Sequence, residues 1–183
     1  MERSEARALV DKYTDKEITV RHLISVEGVM RALADRLGAD SDRWGLVGLW
    51  HDLDYDRTQD DLERHGLQTV EWLRDEGFTD EEVLNAILGH RFEQYRTDLV
   101  STAIVHADAV AGLLVAAALV RPEKADGMSV KSVKKKLKEK SFAPGVEREE
   151  IRNVEPSIGL TMEDFIGVSI SGLQSVAPEI DLA

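Results

Sequence analysis

Residues 45–57 read "GLVGLWHDLDYDR", six apolar residues followed at once by His51-Asp52. The apolar part has the length and texture of a helix end pressed against a core. An imidazole and a carboxylate placed side by side there need a reason, because an ionised group facing apolar surroundings without a partner is costly.

The rest of the chain supplies the setting. It has 183 residues, 43% hydrophobic and only 5% aromatic. A core made mostly of Leu, Val, Ile and Ala favours helices over a β-sandwich. Helical periodicity appears in residues 16–37, where Ile18, His22, Val26, Val29 and Leu33 form a stripe that Gly38 is placed to end. Ser41 or Asp42 can cap a short second helix ending near Trp50. Asp60–Gly77 reads as a helix with a break near Gly66, and Thr79-Asp80-Glu81-Glu82 as a capping box for the next. Residues 98–120 form the most apolar helix, closed by Arg121-Pro122, and a last helix starts at Thr161. No run of alternating residues reads as a convincing strand. The expected class is all-α, one domain over 1–183. Its core spans about 16–120, and residues 121–183 add a lysine-rich segment and C-terminal helices packed on that core.

Charge and composition narrow the function. The formal net charge of −12, concentrated in residues 1–120, argues against nucleic acid as a partner. It leaves room for a phosphorylated small molecule if metal ions reverse the local sign. The N-terminus is charged and lacks the apolar stretch of a signal peptide, and the run at 109–120 is short for a bilayer. The expectation is therefore a cytoplasmic protein without a membrane partner. There is no cysteine, so any metal must be held by histidine and carboxylate.

His22 and His90 fall on the inner faces of their helices, and Asp108 places a carboxylate on the apolar helix. His106 lies two residues before Asp108, about 200° around an α-helix, and is set aside on that ground. His22, His51, Asp52, His65, His90 and Asp108 remain. Taken singly, an inward histidine is usually a hydrogen-bonded core residue. Together, four imidazoles and two carboxylates make a ligand set that Mn, Fe, Zn or Ni accepts.

With these residues in order, the sequence resembles the HD-domain metal-dependent phosphohydrolases. The resemblance rests on His22, the "HD" at 51–52 and Asp108 in "HADAVAGLL", with "GLWHDLDYD" and "AILGHR" as context. The added His65 and His90 resemble the expanded H…HD…H…H…D pattern of branches that hold two metals. It covers residues 18–120 well and is weaker beyond 121. It implies an HD-domain-like helical bundle with a C-terminal helical extension. It also implies two divalent cations (Fe, Mn, Ni, Co, Zn or Mg), the first held by His22, His51, Asp52 and Asp108, the second by His65 and His90, with Asp52 bridging. The implied activity is hydrolysis of a nucleotide-like phosphomonoester or phosphoanhydride, with Asp52 also orienting the nucleophile. The same scaffold carries di-iron oxygenases, and a non-catalytic metal- or nucleotide-binding module is a third reading.

Arg91 beside His90 reads as a phosphate clamp or, equally, as a surface arginine. Asp54 and Asp56 read as acceptors that orient ligand histidines or as loop residues in Asx turns. The lysines at 131, 134, 135, 136, 138 and 140 fit a solvated helix face better than a pocket entrance.

Overall fold

The computed structural model describes residues 1–183, and all of its regular structure is helical. The helices are α1 (Arg3–Tyr13), α2 (Glu17–Leu37), α3 (Ser41–Trp50), α4 (Tyr55–Thr58), α5 (Leu67–Asp75), α6 (Glu81–Arg91), α7 (Leu99–Leu119), α8 (Val130–Lys138), α9 (Arg148–Arg152), α10 (Val154–Ile158) and α11 (Met162–Val176). Short 3₁₀ turns lie at Glu93–Tyr95 and Ala177–Ile180.

The centre of the bundle is α2, packed between α3 and α11, with α7 against it and α6 against α7. The close approaches are made by glycines. A Cβ on Gly28 would stand 2.4 Å from the Gly172 carbonyl oxygen, so α2 and α11 cross with their backbones almost touching. Gly48 of α3 meets the backbone of Val26 and Glu27 in the same way. Between these crossings Leu23, Val26, Val29, Met30 and Leu33 are fully buried.

Several helices start on side-chain caps, with two shifts from expectation. α3 is capped by Asp40, which accepts from the amides of Asp42 and Arg43, rather than by Ser41 or Asp42. Asp80 itself caps α6, accepting from the amides of Glu82 and Val83. Asp98 caps α7 and Thr161 caps α11. Gly38 ends α2 at φ 72°, a left-handed backbone natural to glycine. No side chain caps α2. The carboxylate of Asp56 instead anchors the residues that lead into it, accepting from the amides of Asp15 and Lys16 at 2.8 and 2.9 Å and from the Thr19 hydroxyl. Asp56 therefore fixes a helix start and orients no histidine.

Two stretches depart from the sequence pattern. Residues 60–66 form turns, and the helix begins only at Leu67. Ile18, expected on the inner stripe of α2, is 72% exposed. The first turn of α2 overhangs a cavity, so the stripe becomes core only from Leu23 onward.

Glu27 lies at the heart of α2 with no exposure. Arg3 pairs with both of its carboxylate oxygens at 2.7 and 2.8 Å, and Arg31 with one at 2.9 Å. Arg3 also reaches Glu179 at 2.7 Å, tying α1 and the C-terminal turn to α2. Beyond residue 121, Phe165, Leu173 and Leu182 are buried, and the Ala125 amide donates to Leu182 at 3.0 Å. α8 buries Val133 and Leu137 and turns its lysines outward, where Lys134 pairs with Glu163 and Lys136 with Glu139. α7 is long and apolar enough to cross a membrane by length and composition, being longer than the run at 109–120 alone; 67% of that window is buried within the protein.

Candidate metal centre

The six residues singled out in the sequence converge at the inner end of α3. His51 follows the last turn of α3 and is wholly buried. His22 reaches in from α2, Asp108 from α7 and His90 from the last turn of α6. His65 comes from the irregular turns before α5 and is 5% exposed, so it is no solvated surface residue. It is followed by Gly66 at φ 82°, a conformation natural to glycine, where an added Cβ would stand 3.3 Å from His90 Cε1.

The donors sort into two groups, His22, His51 and Asp108 in one and Asp52, His65 and His90 in the other. Within each, three ligand atoms lie within 4.8 Å of one another. His22 Nε2 stands 3.0 Å from Asp108 Oδ1. Asp52 Oδ1 lies 3.1 Å from His65 Nε2 and 3.3 Å from His90 Nε2. Its other oxygen is 4.0 Å from His22 Nε2, and Oδ1 is 3.6 Å from His51 Nε2, so Asp52 spans both groups.

Which ring nitrogen faces the cluster is set from behind. His51 Nδ1 donates to the Gly48 carbonyl at 2.9 Å, His65 Nδ1 to Asp54 Oδ1 at 2.8 Å, and His90 Nδ1 to the Ile87 carbonyl. Each acceptor requires a proton on Nδ1, which leaves Nε2 of the neutral ring as a lone pair aimed inward. His51 Nε2 is buried with no hydrogen-bond partner. A buried nitrogen left without a partner beside two carboxylates is the arrangement a cation completes.

The electrostatics agree. Burial opposes charge on His51, but Asp52 and Asp108 outweigh it and push its pKa up to about 9. For His65 the same opposition is overcome by Asp52 and Asp54, again to about 9. Burial would raise the Asp52 and Asp108 carboxyls. The imidazoles around them instead hold both below the usual carboxylate range. Left to itself the cluster calls for positive charge.

Asp54 anchors the second group. It is fully buried and accepts from His65 Nδ1, from the Gly66 amide at 2.8 Å and from the Thr69 amide at 3.1 Å. His106 lies elsewhere, its Nδ1 donating to the Glu150 carbonyl at 2.7 Å. Burial lowers its pKa.

A cavity of about 780 Å³ opens in front of the cluster. Arg91 lies exposed at its border, and no lysine of the 131–140 segment reaches it. Arg21 and Arg96, which the sequence reading passed over, also line it. Arg21 is the residue before His22, a usable signal. Arg96 is placed by donating to the Gly89 carbonyl at 2.9 Å, a contact across a loop that leaves no pattern.

No curated protein and no solved structure gives a significant match to the chain. The family model of the HD domain matches residues 19–120, more than half of the sequence, and its span takes in all six clustered residues. With that match added to the helical bundle and its paired His/Asp groups, the chain belongs to the HD-domain family, a superfamily of metal-dependent hydrolases that bind divalent metals.

Proposed function

We propose that this protein hydrolyses a phosphomonoester or phosphoanhydride of a small, nucleotide-like molecule, using water as the nucleophile and divalent cations held by the six clustered residues. The observation that carries this reading is the sharing of Asp52 between two donor groups. His22, His51 and Asp108 would hold one ion, His65 and His90 the other, with Asp52 serving both.

Two such cations supply Lewis acidity to phosphoryl oxygens and lower the pKa of a water molecule. The chain's own contribution is preorganisation. The Nδ1 contacts of His51, His65 and His90 fix ring tautomer and direction before any substrate arrives. Asp52 presents a carboxylate beside the reacting centre and orients the attacking water. Arg91, at the rim, has the forked donors that suit a phosphoryl group and no carboxylate holding it elsewhere.

The test is elemental analysis combined with phosphate release from a panel of phosphoesters across Mn, Fe, Co, Ni, Zn and Mg, run with and without oxygen. Oxygen-independent phosphate release that disappears in Asp52→Ala supports the proposal. A fully loaded sample that releases no phosphate from any ester, or that consumes oxygen with an organic polyol, defeats it.

A further inference from the structure

The cavity is longer than the cluster requires and changes character along its length. At the cluster end Arg91 follows His90 in the chain and Arg96 is held on the Gly89 carbonyl. Arg21 also lines the cavity but is held by Glu17 and the Ile180 carbonyl. Beyond Asp108, α7 lines the cavity with Ala109, Gly112, Val115, Ala116 and Leu119. These positions share one face of the helix. At about 1.5 Å of rise per residue the stripe extends roughly 16 Å from Asp108 to Leu119.

Opposite the stripe runs a strap, residues 143–147. Val146 lies over Gly112, where a Cβ would come within 3.6 Å of its methyl group. The strap is pinned by Arg148. Its guanidinium donates to the carbonyls of Ala143 and Val146 at 3.2 Å, of Glu139 at 3.1 Å, and of Phe142. Ala143 is held at φ 46°, left-handed backbone that costs a non-glycine residue energy. The one charged side chain on the strap that lines the cavity is an anion, Glu147. At the mouth, Ile18 and Leu119 remain 72% and 56% exposed.

We infer that this far end is a leaving-group subsite, and that the substrate is the phosphomonoester of an alcohol with an uncharged, apolar body. The inference rests on the hydrolase reading for the reacting bond, confines it to phosphomonoesters, and replaces its nucleotide-like body with an apolar one. A polyphosphate chain leaving the cluster would press further anionic groups against alkyl side chains and then meet Glu147, a costly desolvation without compensation. A nucleobase would bury its polar edge against the same methyl groups. An alkyl or aryl body instead removes the α7 stripe, Val146 and Ile18 from water. The strap lies outside residues 19–120, so this chain's extension completes the subsite over a helix of the shared domain. In the reaction, water's oxygen forms the new bond to phosphorus, the ester P–O bond breaks, and the departing oxygen takes a proton to give alcohol and inorganic phosphate.

The experiment uses the full chain loaded with metal and n-alkyl phosphates from methyl to octyl, with phenyl phosphate, AMP and ADP for comparison. In parallel, n-alkylphosphonates, whose C–P bond resists hydrolysis, are titrated by calorimetry. The expected result is a rise in kcat/KM of roughly two- to fourfold per methylene, carried by KM and mirrored in phosphonate affinity. Gly112→Leu and Val146→Asp should each cut the octyl-to-methyl ratio at least tenfold. Equal turnover at every chain length with equal phosphonate binding, or preference for ADP or AMP over hexyl phosphate, overturns the subsite while leaving hydrolysis intact. Chain-length-dependent phosphonate binding without cleavage of any ester supports the subsite and overturns the hydrolase reading instead.

Discussion

His90 Nε2 stands 3.1 Å from His65 Nε2, although the Nδ1 atoms of both rings donate to oxygens behind them. In their neutral forms the two rings turn lone pairs toward each other, and Asp52 Oδ1 closes the same space. Such a contact is repulsive until a proton or cation lies between the partners. Replacing either histidine with alanine should remove one of two bound metal equivalents, and His22→Ala should weaken the other. Asp52→Ala should lose both. Elemental analysis after dialysis reads the stoichiometry, and circular dichroism checks that the helices persist. Two equivalents retained in His65→Ala would refute the two-ion arrangement.

Asp54 controls His65 from behind. In Asp54→Ala the His65 Nδ1 proton and the amides of Gly66 and Thr69 lose their acceptor. Removing such an orienting partner costs metal sites roughly 10- to 100-fold in affinity, and the orphaned amides should cost about 1–3 kcal/mol of stability each. Competition with a chromogenic chelator measures the first and urea unfolding the second. A loss of stability with unchanged affinity for both equivalents would make Asp54 a purely structural anchor.

These two effects show which parts of the site were legible in the sequence. His22, His51, Asp52 and Asp108 could be placed because each interrupts an apolar helical pattern, and polar groups on such faces need partners. The orientation of His65 was not legible, since it depends on Gly66 at φ 82° and on turns over 60–66 that look helical in one dimension. Ile18 misled for a related reason, because periodicity reports a face and not what covers it. Of the strap at 143–147 the sequence marks only a break at Pro144, not what the segment covers. Arg148 closes it by donating to four backbone carbonyls, and carbonyls are the same in every residue. The close pairing of Gly28 with Gly172 is likewise a relation between distant helices that no local pattern records.

That pairing separates two glycines on one helix. Gly172→Ala would place a Cβ 2.5 Å from the Gly28 carbonyl oxygen, backbone that cannot yield without parting α2 from α11. A loss of about 1–3 kcal/mol or more is expected. Gly167→Ala, five residues earlier on α11, would meet only a Val130 methyl at 3.6 Å, an ordinary contact. There the better helix former should stabilise by about 0.5–1 kcal/mol. Urea midpoints of the two variants should move in opposite directions, and a shared direction would contradict the crossing.

Asp56 sets the pH response of the α2 start. Its side chain is 2% exposed, Thr19 Oγ1 donates to it at 2.6 Å, and the amides of Asp15 and Lys16 also donate to it. Burial alone would raise its pKa, but these donors and the charge of Lys16 bring it below the usual carboxylate value. The unfolded chain, with a carboxyl near 3.9, therefore binds the proton more readily than the folded one. The resulting stability is present above about pH 4 and is lost as pH falls through the depressed folded-state value. Asp56→Asn lacks the charge and cannot satisfy all three donors, so it should be less stable at neutral pH by about 1–3 kcal/mol. The gap between the wild type and the variant should narrow in acid. Urea unfolding of both proteins from about pH 7 down to about pH 3 measures that gap, and a gap that stayed constant would show that the carboxylate's charge does not hold the helix start.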